Sequence, residues 1–151
     1  MELPALPPST GKAWARLVRA HRAVTTRIEA DLKAAGFPPL VWYDVLLELG
    51  RAEEGRLAPG ELERALLFTQ PNVSRLVDRM AAGELVRREP HPGDARRQLV
   101  AITSEGRALR ERMWPAYAAA IERHLGAKLP GERAGLLASL LARLIPPDAS
   151  P

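Results

Sequence analysis

The sequence predicts a mainly α-helical protein that carries one small β-hairpin. Its 151 residues include 25 alanines and 23 leucines but only 8 valines and 4 isoleucines. Alanine and leucine favour helices, whereas β-branched residues favour strands. Apolar residues also recur every three or four positions along most of the chain, which is typical of amphipathic helices. Two short strand-forming runs flank a single turn-rich segment near the middle.

The composition excludes several kinds of chemistry. The absence of cysteine excludes disulfides, thiolate metal ligands and thiol nucleophiles. The three histidines lie far apart in sequence, at positions 21, 91 and 124, so we expect no metal site. No apolar run approaches the roughly 20 residues of a membrane span. The first residues lack a basic segment followed by an apolar one, so we expect a cytoplasmic protein without a membrane partner.

The first helix is predicted to begin at Lys12 and to end at Gly36, before Pro38-Pro39. Residues 1–11, which are rich in proline, are expected to be a loose arm. The apolar positions of the helix fall on one stripe, made by Trp14, Leu17, Val18, His21, Val24, Ile28 and Leu32. A second helix is predicted from Pro39 to Gly50, followed by a turn over residues 51–55.

Two shorter helices are predicted next. The third begins at Pro59, where the missing N–H of proline costs nothing. The fourth is predicted to be capped by Thr69, with Pro71 in its first turn. Its apolar stripe consists of Val73, Leu76, Val77 and Met80. The polar residues between these positions are left facing outward.

A β-hairpin and two further helices complete the prediction. The strands are expected over residues 85–89 and 98–103, with a long polar loop over residues 90–97 between them. Thr103 or Ser104 caps a helix that runs towards Leu125, and Pro115 is expected to kink or split it. A last helix begins at Pro130 and ends before Pro146-Pro147. Its leucine face is too wide for one covering layer, which predicts a second copy of the chain as partner.

Two short helices followed directly by a hairpin predict a winged helix-turn-helix. The second helix of such a pair fits the major groove of DNA, and its first backbone N–H groups suit phosphate. Arginines at the hairpin tip can enter the minor groove. These residues are therefore predicted to contact double-stranded DNA: Thr69, Gln70, Pro71, Asn72, Ser74, Arg75, Arg79, Arg96 and Arg97.

Charge alone supports this prediction only modestly. The net charge of +4 permits a polyanionic partner but does not prove one. Six arginines and four acidic residues lie between positions 75 and 97, so the local net charge is +2. The alternative is that these arginines are solvated surface residues, paired with neighbouring acids such as Asp78 and Glu84.

Over nearly its whole length the sequence resembles the MarR family of bacterial transcription regulators. The resemblance is sharpest in the predicted recognition helix, QPNVSRLVDRM, over residues 70–80. It is also sharp in the segments LVRR (85–88), DARR (94–97) and LVAIT (99–103), and at Gly106. The chain departs from the family at Glu84, where a glycine is common; Gly83 is expected to take over that glycine's role.

The resemblance implies a homodimer whose interface is made by the first helix and the last two helices. Residues 12–36 and 104–146 would then be dimerisation helices, residues 37–103 the DNA-binding domain, and residues 1–11 and 147–151 flexible ends. By position, Arg96 would be the minor-groove residue and Asp94 the carboxylate that holds it. A pocket for a small aromatic or anionic effector is implied between the two parts, with these candidates: Trp14, Arg16, His21, Trp42, Tyr43 and Asp44.

The predicted function is a homodimeric, ligand-responsive repressor that binds a palindromic operator without a cofactor. An enzyme is not expected, because no nucleotide-binding loop, nucleophile elbow or zinc-protease motif occurs. The alternative is a winged-helix protein-interaction module without specific DNA binding. Salt distinguishes the two functions, since only DNA binding weakens steeply as counterions return to phosphate.

Overall fold

The computed structural model describes residues 5–147 as a helical protein with one small antiparallel sheet. The elements, in chain order, are α1 (Pro8–Ala34), α2 (Leu40–Arg51), β1 (Arg56–Leu57), α3 (Pro59–Ala65), α4 (Val73–Ala82), β2 (Val86–His91), β3 (Asp94–Ile102), α5 (Ser104–His124) and α6 (Arg133–Ala142). Short 3-10 turns occupy Glu53–Gly55 and Gly126–Lys128. The predicted fold class is confirmed, since α2, α3 and α4 are followed by a sheet with the strand order β1-β3-β2.

The core lies where α2, α4 and the sheet meet the C-terminal half of α1 and the long helix α5. Its fully buried side chains include Leu32, Leu46, Leu76, Val100 and Met113, one from each of these elements. The apolar stripe predicted for α4 is buried at all four positions. The opposite face of α4 is therefore left to solvent.

Helix α1 begins at Pro8, so the prediction of a loose arm up to residue 11 is wrong. Pro8 occupies the first helical position, where a backbone N–H would have no partner within the helix, so the missing N–H of proline costs nothing. Residues 1–4 and 148–151, which make up half of the predicted flexible ends, lie outside the described residues. Within α1 only Ile28 and Leu32 are buried. The N-terminal half of the predicted stripe is exposed in the single chain, with Trp14 at 67%.

The hairpin is longer and tighter than the sequence predicts. The two strands reach His91 and Asp94, which pair across Pro92-Gly93, so the expected loop over residues 90–97 is wrong. Pro90 lies opposite Gln98 and His91 opposite Asp94, so the register shifts between them and residues 95–97 have no partner in β2. Strand β1, which the sequence analysis missed, pairs Arg56 with Ala101 at the far end of β3.

The last two helices also differ from the prediction. Helix α5 is continuous, so Pro115 does not split it. Because proline has no N–H, the Glu111 carbonyl has no hydrogen-bond partner at position 115. Both residues are exposed, so water can bind this carbonyl. Helix α6 begins at Arg133 and not at Pro130, because Gly131 adopts a left-handed conformation (φ 67°) that interrupts any helix there.

The junction between α4, the hairpin and α5 is tightly packed. Thr103 caps α5, as predicted, because its Oγ1 accepts the Gly106 N–H at 3.0 Å. The same hydroxyl donates to the Glu84 carbonyl at 2.7 Å. A Cβ at Gly106 would lie 2.2 Å from the Leu85 carbonyl oxygen, so only glycine fits without a shift. The left-handed residue after α4 is Glu84 (φ 60°), and Gly83, at φ −86°, does not replace the missing glycine.

Candidate nucleic-acid interface

Helix α4 presents a polar face that the core does not use. Its buried positions alternate with Ser74, Arg75, Asp78 and Arg79, all of them exposed. The helix begins at Val73 because Asn72 caps it: the Arg75 N–H donates to Asn72 Oδ1 at 2.9 Å. Remaining free N–H groups of this first turn point along the helix axis, where an anion is favoured.

The predicted capping role of Thr69 is wrong. Residues before a proline avoid the helical conformation, so Gln70 cannot belong to a helix that continues through Pro71. Asparagine is also at least as good a cap as threonine. Thr69, Gln70 and Pro71 consequently form the segment that leads into α4, and Gln70 Nε2 donates to the Thr69 carbonyl at 3.1 Å.

The hairpin tip carries an exposed arginine beside a carboxylate. The side chain of Arg96 is 95% exposed, and its Nε lies 3.6 Å from Asp94 Oδ1. The same oxygen accepts the Arg96 N–H at 3.0 Å, which fixes the backbone next to the turn. Arg97 is also exposed.

Arg88 joins the hairpin to α4. Its guanidinium donates to Asp78 Oδ1 through both Nε (3.2 Å) and Nη2 (2.9 Å). Nη2 also donates to the carbonyl oxygen of Ser74 at 3.2 Å and to its Oγ at 3.1 Å. Since Ser74 and Asp78 belong to the exposed face of α4, these contacts place that face directly beside β2.

Other charges of the hairpin neutralise one another. Glu89 accepts from Arg87 at 3.0 Å and from Arg56 at 3.3 Å, and Arg56 also pairs with Glu54. Partial burial alone would raise the pKa of Glu89, but the hydrogen bonds from the two arginines outweigh it and lower this pKa below its usual value.

Three of the six arginines between positions 75 and 97 form no ion pair within residues 5–147: Arg75, Arg79 and Arg97. The alternative of local ion pairs therefore does not describe Arg75 and Arg79. Asp78 pairs with Arg88, and no described side chain pairs with Glu84.

The six residues predicted to line a ligand pocket do not form one site. His21 and Trp42 line a cavity of 820 Å³ between α1, α2 and the segment that precedes α4. The remaining lining residues are Glu29, Pro39, Val41, Leu67, Phe68, Thr69, Gln70 and Arg79. Trp14 and Arg16 face a different space, an apolar groove of 670 Å³ between α1 and α6, which His21 also borders.

Tyr43 and Asp44 are core residues instead of pocket residues. Tyr43 is 6% exposed and packs edge-on against Tyr117, with ring centroids 5.0 Å apart. Asp44 is 4% exposed, and its Oδ2 accepts the Phe68 N–H at 3.0 Å. Burial raises the pKa of Asp44 above its usual value, while backbone N–H groups of Phe68 and Leu67 act in the opposite direction. Both side chains point into the protein because the inward face of α2 is wider than its apolar residues suggest.

Two further properties concern the described residues as a whole. No cluster of three or more potential metal ligands occurs within residues 5–147. In the same range every helix is too short or too polar to cross a lipid bilayer.

The fold and this surface define a winged helix-turn-helix protein. A sequence profile described as the MarR family matches residues 35–97. The match covers less than half of this chain, so the chain resembles the MarR family over residues 35–97.

Several known proteins are also similar to this chain. The HTH-type transcriptional repressor NicR of Pseudomonas putida is 34% identical over 96 residues, which is 64% of this chain and 60% of that repressor. The regulator AbsC of Streptomyces coelicolor has a similar structure, with a TM-score of 0.81 at 25% identity over 94% of this chain and 95% of AbsC. Sco3205 of the same organism, solved in complex with DNA, gives a TM-score of 0.83 at 24% identity, over 95% and 89% of the two chains.

Proposed function

We propose that this chain is a sequence-specific, DNA-binding transcriptional repressor of the cytoplasm that acts as a homodimer on a palindromic operator. The observation that supports DNA binding is the placement of α4 beside the hairpin. Arg88 brings Ser74 and Asp78, on the exposed face of α4, next to β2. Arg75 and Arg79 of the same exposed face form no ion pair within residues 5–147. A helix and a wing on one side suit the major groove and the adjacent minor groove.

The test is binding of duplex DNA by fluorescence anisotropy, using a duplex selected from a random pool. Affinity is expected to fall steeply between low and high salt. Arg96→Ala is expected to weaken binding to every duplex and to reduce the salt slope, because it removes an exposed cation. Arg87→Ala is the matched control, since Glu89 already neutralises Arg87. Salt-independent binding of the unmodified chain would contradict the proposal.

Base reading is assigned to Ser74 and Arg75. Asn72 was predicted to contact bases, but its side chain caps α4, so Asn72→Ala would lower the stability of the helix by about 1 kcal/mol and confuse the result. Arg75→Ala is expected to weaken operator binding more than binding to a random duplex. Equal losses on both duplexes would contradict base reading by this residue.

The homodimer is supported by the apolar groove between α1 and α6. Leu140 and Leu144, which line it, are 53% and 67% exposed in the single chain, and Trp14 at the opposite wall is 67% exposed. A second copy would cover these side chains, and C2 symmetry would place two α4 helices for half-sites about 34 Å apart.

Light scattering at micromolar concentration is expected to give a dimeric mass for the unmodified chain. Leu140→Asp is expected to yield monomers, because the new charge would be buried in the interface. Ala82→Asp, at the exposed end of α4 and outside the groove, is the control and is expected to remain dimeric. A monomeric mass for the unmodified chain would refute the homodimer.

The effector is proposed to be a small aromatic carboxylate bound in the cavity between α1 and α2. Trp42 and Phe68 offer aromatic surface, while His21 and Arg79 border the same space. Glu29 also lines the cavity, and both of its oxygens accept the Leu40 N–H, at 3.1 and 3.2 Å, so the positive start of α2 offsets part of its charge. Since Arg79 also belongs to α4, an effector that binds Arg79 removes a cation from the DNA side.

Benzoate is the probe, and benzamide is the neutral control of the same shape. Benzoate is expected to release a labelled duplex and benzamide is not. Trp42→Ala is expected to abolish the response to benzoate, whereas Trp114→Phe, whose ring packs against Tyr43 away from the cavity, leaves it intact. Equal responses to benzoate and benzamide would contradict an anion site.

A further inference from the structure

We infer that Arg88 is a positioning residue for DNA recognition, which holds the hairpin at a defined angle to α4. This inference rests on the proposed DNA-binding function. Within the described part of the chain, every side-chain hydrogen bond between α4 and strands β2 and β3 is donated by Arg88. The Arg88 side chain is only 26% exposed, and its guanidinium is turned towards Ser74 and Asp78 of α4.

Arg88 is well placed to hold the hairpin at a fixed angle to α4, and its contact with α4 is called the brace. It lies in the middle of β2, opposite Val100, and the turn follows four to five residues later. At about 3.3 Å per residue the tip lies about 15 Å beyond the brace. A rotation of 10° about Arg88 would therefore move the tip by about 3 Å, which is the length of one hydrogen bond. Arg96, next to the tip, would lose its place relative to α4.

Asp78 has no other evident purpose on this face. It is an acidic side chain, 66% exposed, on the helix that is proposed to approach DNA phosphates. An unpaired carboxylate there would repel the duplex. Its one ion pair within residues 5–147 is with Arg88, so the pair neutralises Asp78 while it fixes the hairpin. The bond to Ser74 Oγ uses a lone pair of that hydroxyl and leaves its proton free to donate.

The direction in which one substitution changes DNA affinity distinguishes this positioning role from a purely electrostatic effect. Asp78→Asn removes a negative charge from the DNA side and, on charge alone, would strengthen binding. If Arg88 needs Asp78 to hold the hairpin, the same change weakens operator binding, by about tenfold for the equivalent of one lost specific contact. Glu84→Gln is the matched control, because it removes a charge of the same sign near the end of α4 without touching Arg88. It is expected to leave binding unchanged or slightly stronger.

A second readout needs no DNA. Because the chain lacks cysteine, a spin-label pair can be placed at Ala82 and Pro92 by substituting both with cysteine. Mixing with excess unlabelled chain ensures that an assembly carries one pair. In electron paramagnetic resonance the unmodified background is expected to give one narrow distance distribution. Asp78→Asn and Arg88→Met are expected to broaden or shift it by about 3 Å, and the exchange of Arg88→Asp with Asp78→Arg is expected to restore it.

The outcomes separate the inference from the proposed function. The positioning role alone is overturned if the spin-label distance is unchanged in Asp78→Asn and Arg88→Met. It is also overturned if the distance changes but operator affinity stays equal to or above that of the unmodified chain. A failure of the unmodified chain to bind any duplex in a salt-dependent manner overturns the proposed function and this inference together. Altered distances with weakened operator binding, rescued in distance by the exchange, support it.

Discussion

Asp44 is predicted to hold the turn between α3 and α4 in place. It lies on α2, is almost fully buried, and receives the Phe68 N–H at 3.0 Å. Asp44→Ala leaves this buried donor without a partner. A hydrogen bond to a charged group contributes about 1.5–3 kcal/mol, so we expect the free energy of unfolding to fall by about 2 kcal/mol. For a chain of this size that loss lowers Tm by about 4–8 °C.

Asp44→Asn is the matched control, because its side-chain oxygen still accepts from Phe68. We expect it to remain within about 1 kcal/mol of the unmodified protein at neutral pH, since it also removes a desolvated charge. Urea denaturation, followed by circular dichroism at one fixed protein concentration, measures both variants. A loss below about 0.5 kcal/mol in Asp44→Ala, or equal losses in both variants, would refute the reasoning.

The pH dependence of Asp44 follows from its raised pKa. The folded protein binds this proton more tightly than the unfolded chain, so the contribution of Asp44 to stability is largest below the unfolded pKa of about 3.9. It declines as pH rises from there through the raised pKa of the folded state. The stability of the unmodified protein relative to Asp44→Asn is therefore expected to be lower at pH 7.5 than at pH 4.

Three further substitutions test other local features. Gly106→Ala is expected to lower the free energy of unfolding by about 2–3 kcal/mol in urea denaturation, because the new Cβ would lie 2.2 Å from the Leu85 carbonyl oxygen; a neutral result would contradict the close contact. Glu84→Gly is expected to raise it by about 1 kcal/mol, since glycine adopts a left-handed conformation without strain. A hydrogen bond from His124, with a further contribution from Arg123, lowers the pKa of Asp31. The contribution of Asp31 to folding stability is therefore present above about pH 3.9 and is lost as the pH falls through the lowered pKa. Asp31→Asn is expected to remove that part of the acid sensitivity in urea titrations between pH 2.5 and 6.

The sequence predicts the elements of the winged helix-turn-helix because their apolar spacing is unambiguous. The four buried positions of α4 are those that a 3.6-residue period requires. The cap of α5 was predicted to be Thr103 or Ser104, because hydroxyl side chains are a local capping signal, and the structure shows that it is Thr103. Such features depend on neighbours in sequence, so one sequence suffices to predict them.

Long-range contacts could not be predicted in the same way. Strand β1 has two residues and exists only because Arg56 and Leu57 meet Ala101 and Val100, more than forty positions away. The start of α4 was misplaced because both Thr69 and Asn72 are capable caps, and the effect of Pro71 on the preceding residue was not weighed.

Side-chain partners were the least accessible from the sequence. Pairing of the arginines with Asp78 was kept as an alternative, but the sequence did not show that the partner is Arg88, ten positions later. Asp44 was assigned to a pocket because the resemblance to the MarR family implies one between the dimerisation helices and the DNA-binding part. Its partner is a backbone N–H group that no residue pattern reveals.

The contact at Gly106 has a mechanical consequence. With no side chain at this position, the start of α5 rests directly against the Leu85 carbonyl, and Thr103 adds a hydrogen bond to Glu84. If α5 tilted, the base of the hairpin would therefore have to move together with it. A movement of the long helices would therefore rotate the hairpin as a rigid body about this contact. The displacement would be largest at the hairpin tip, which lies furthest from the contact.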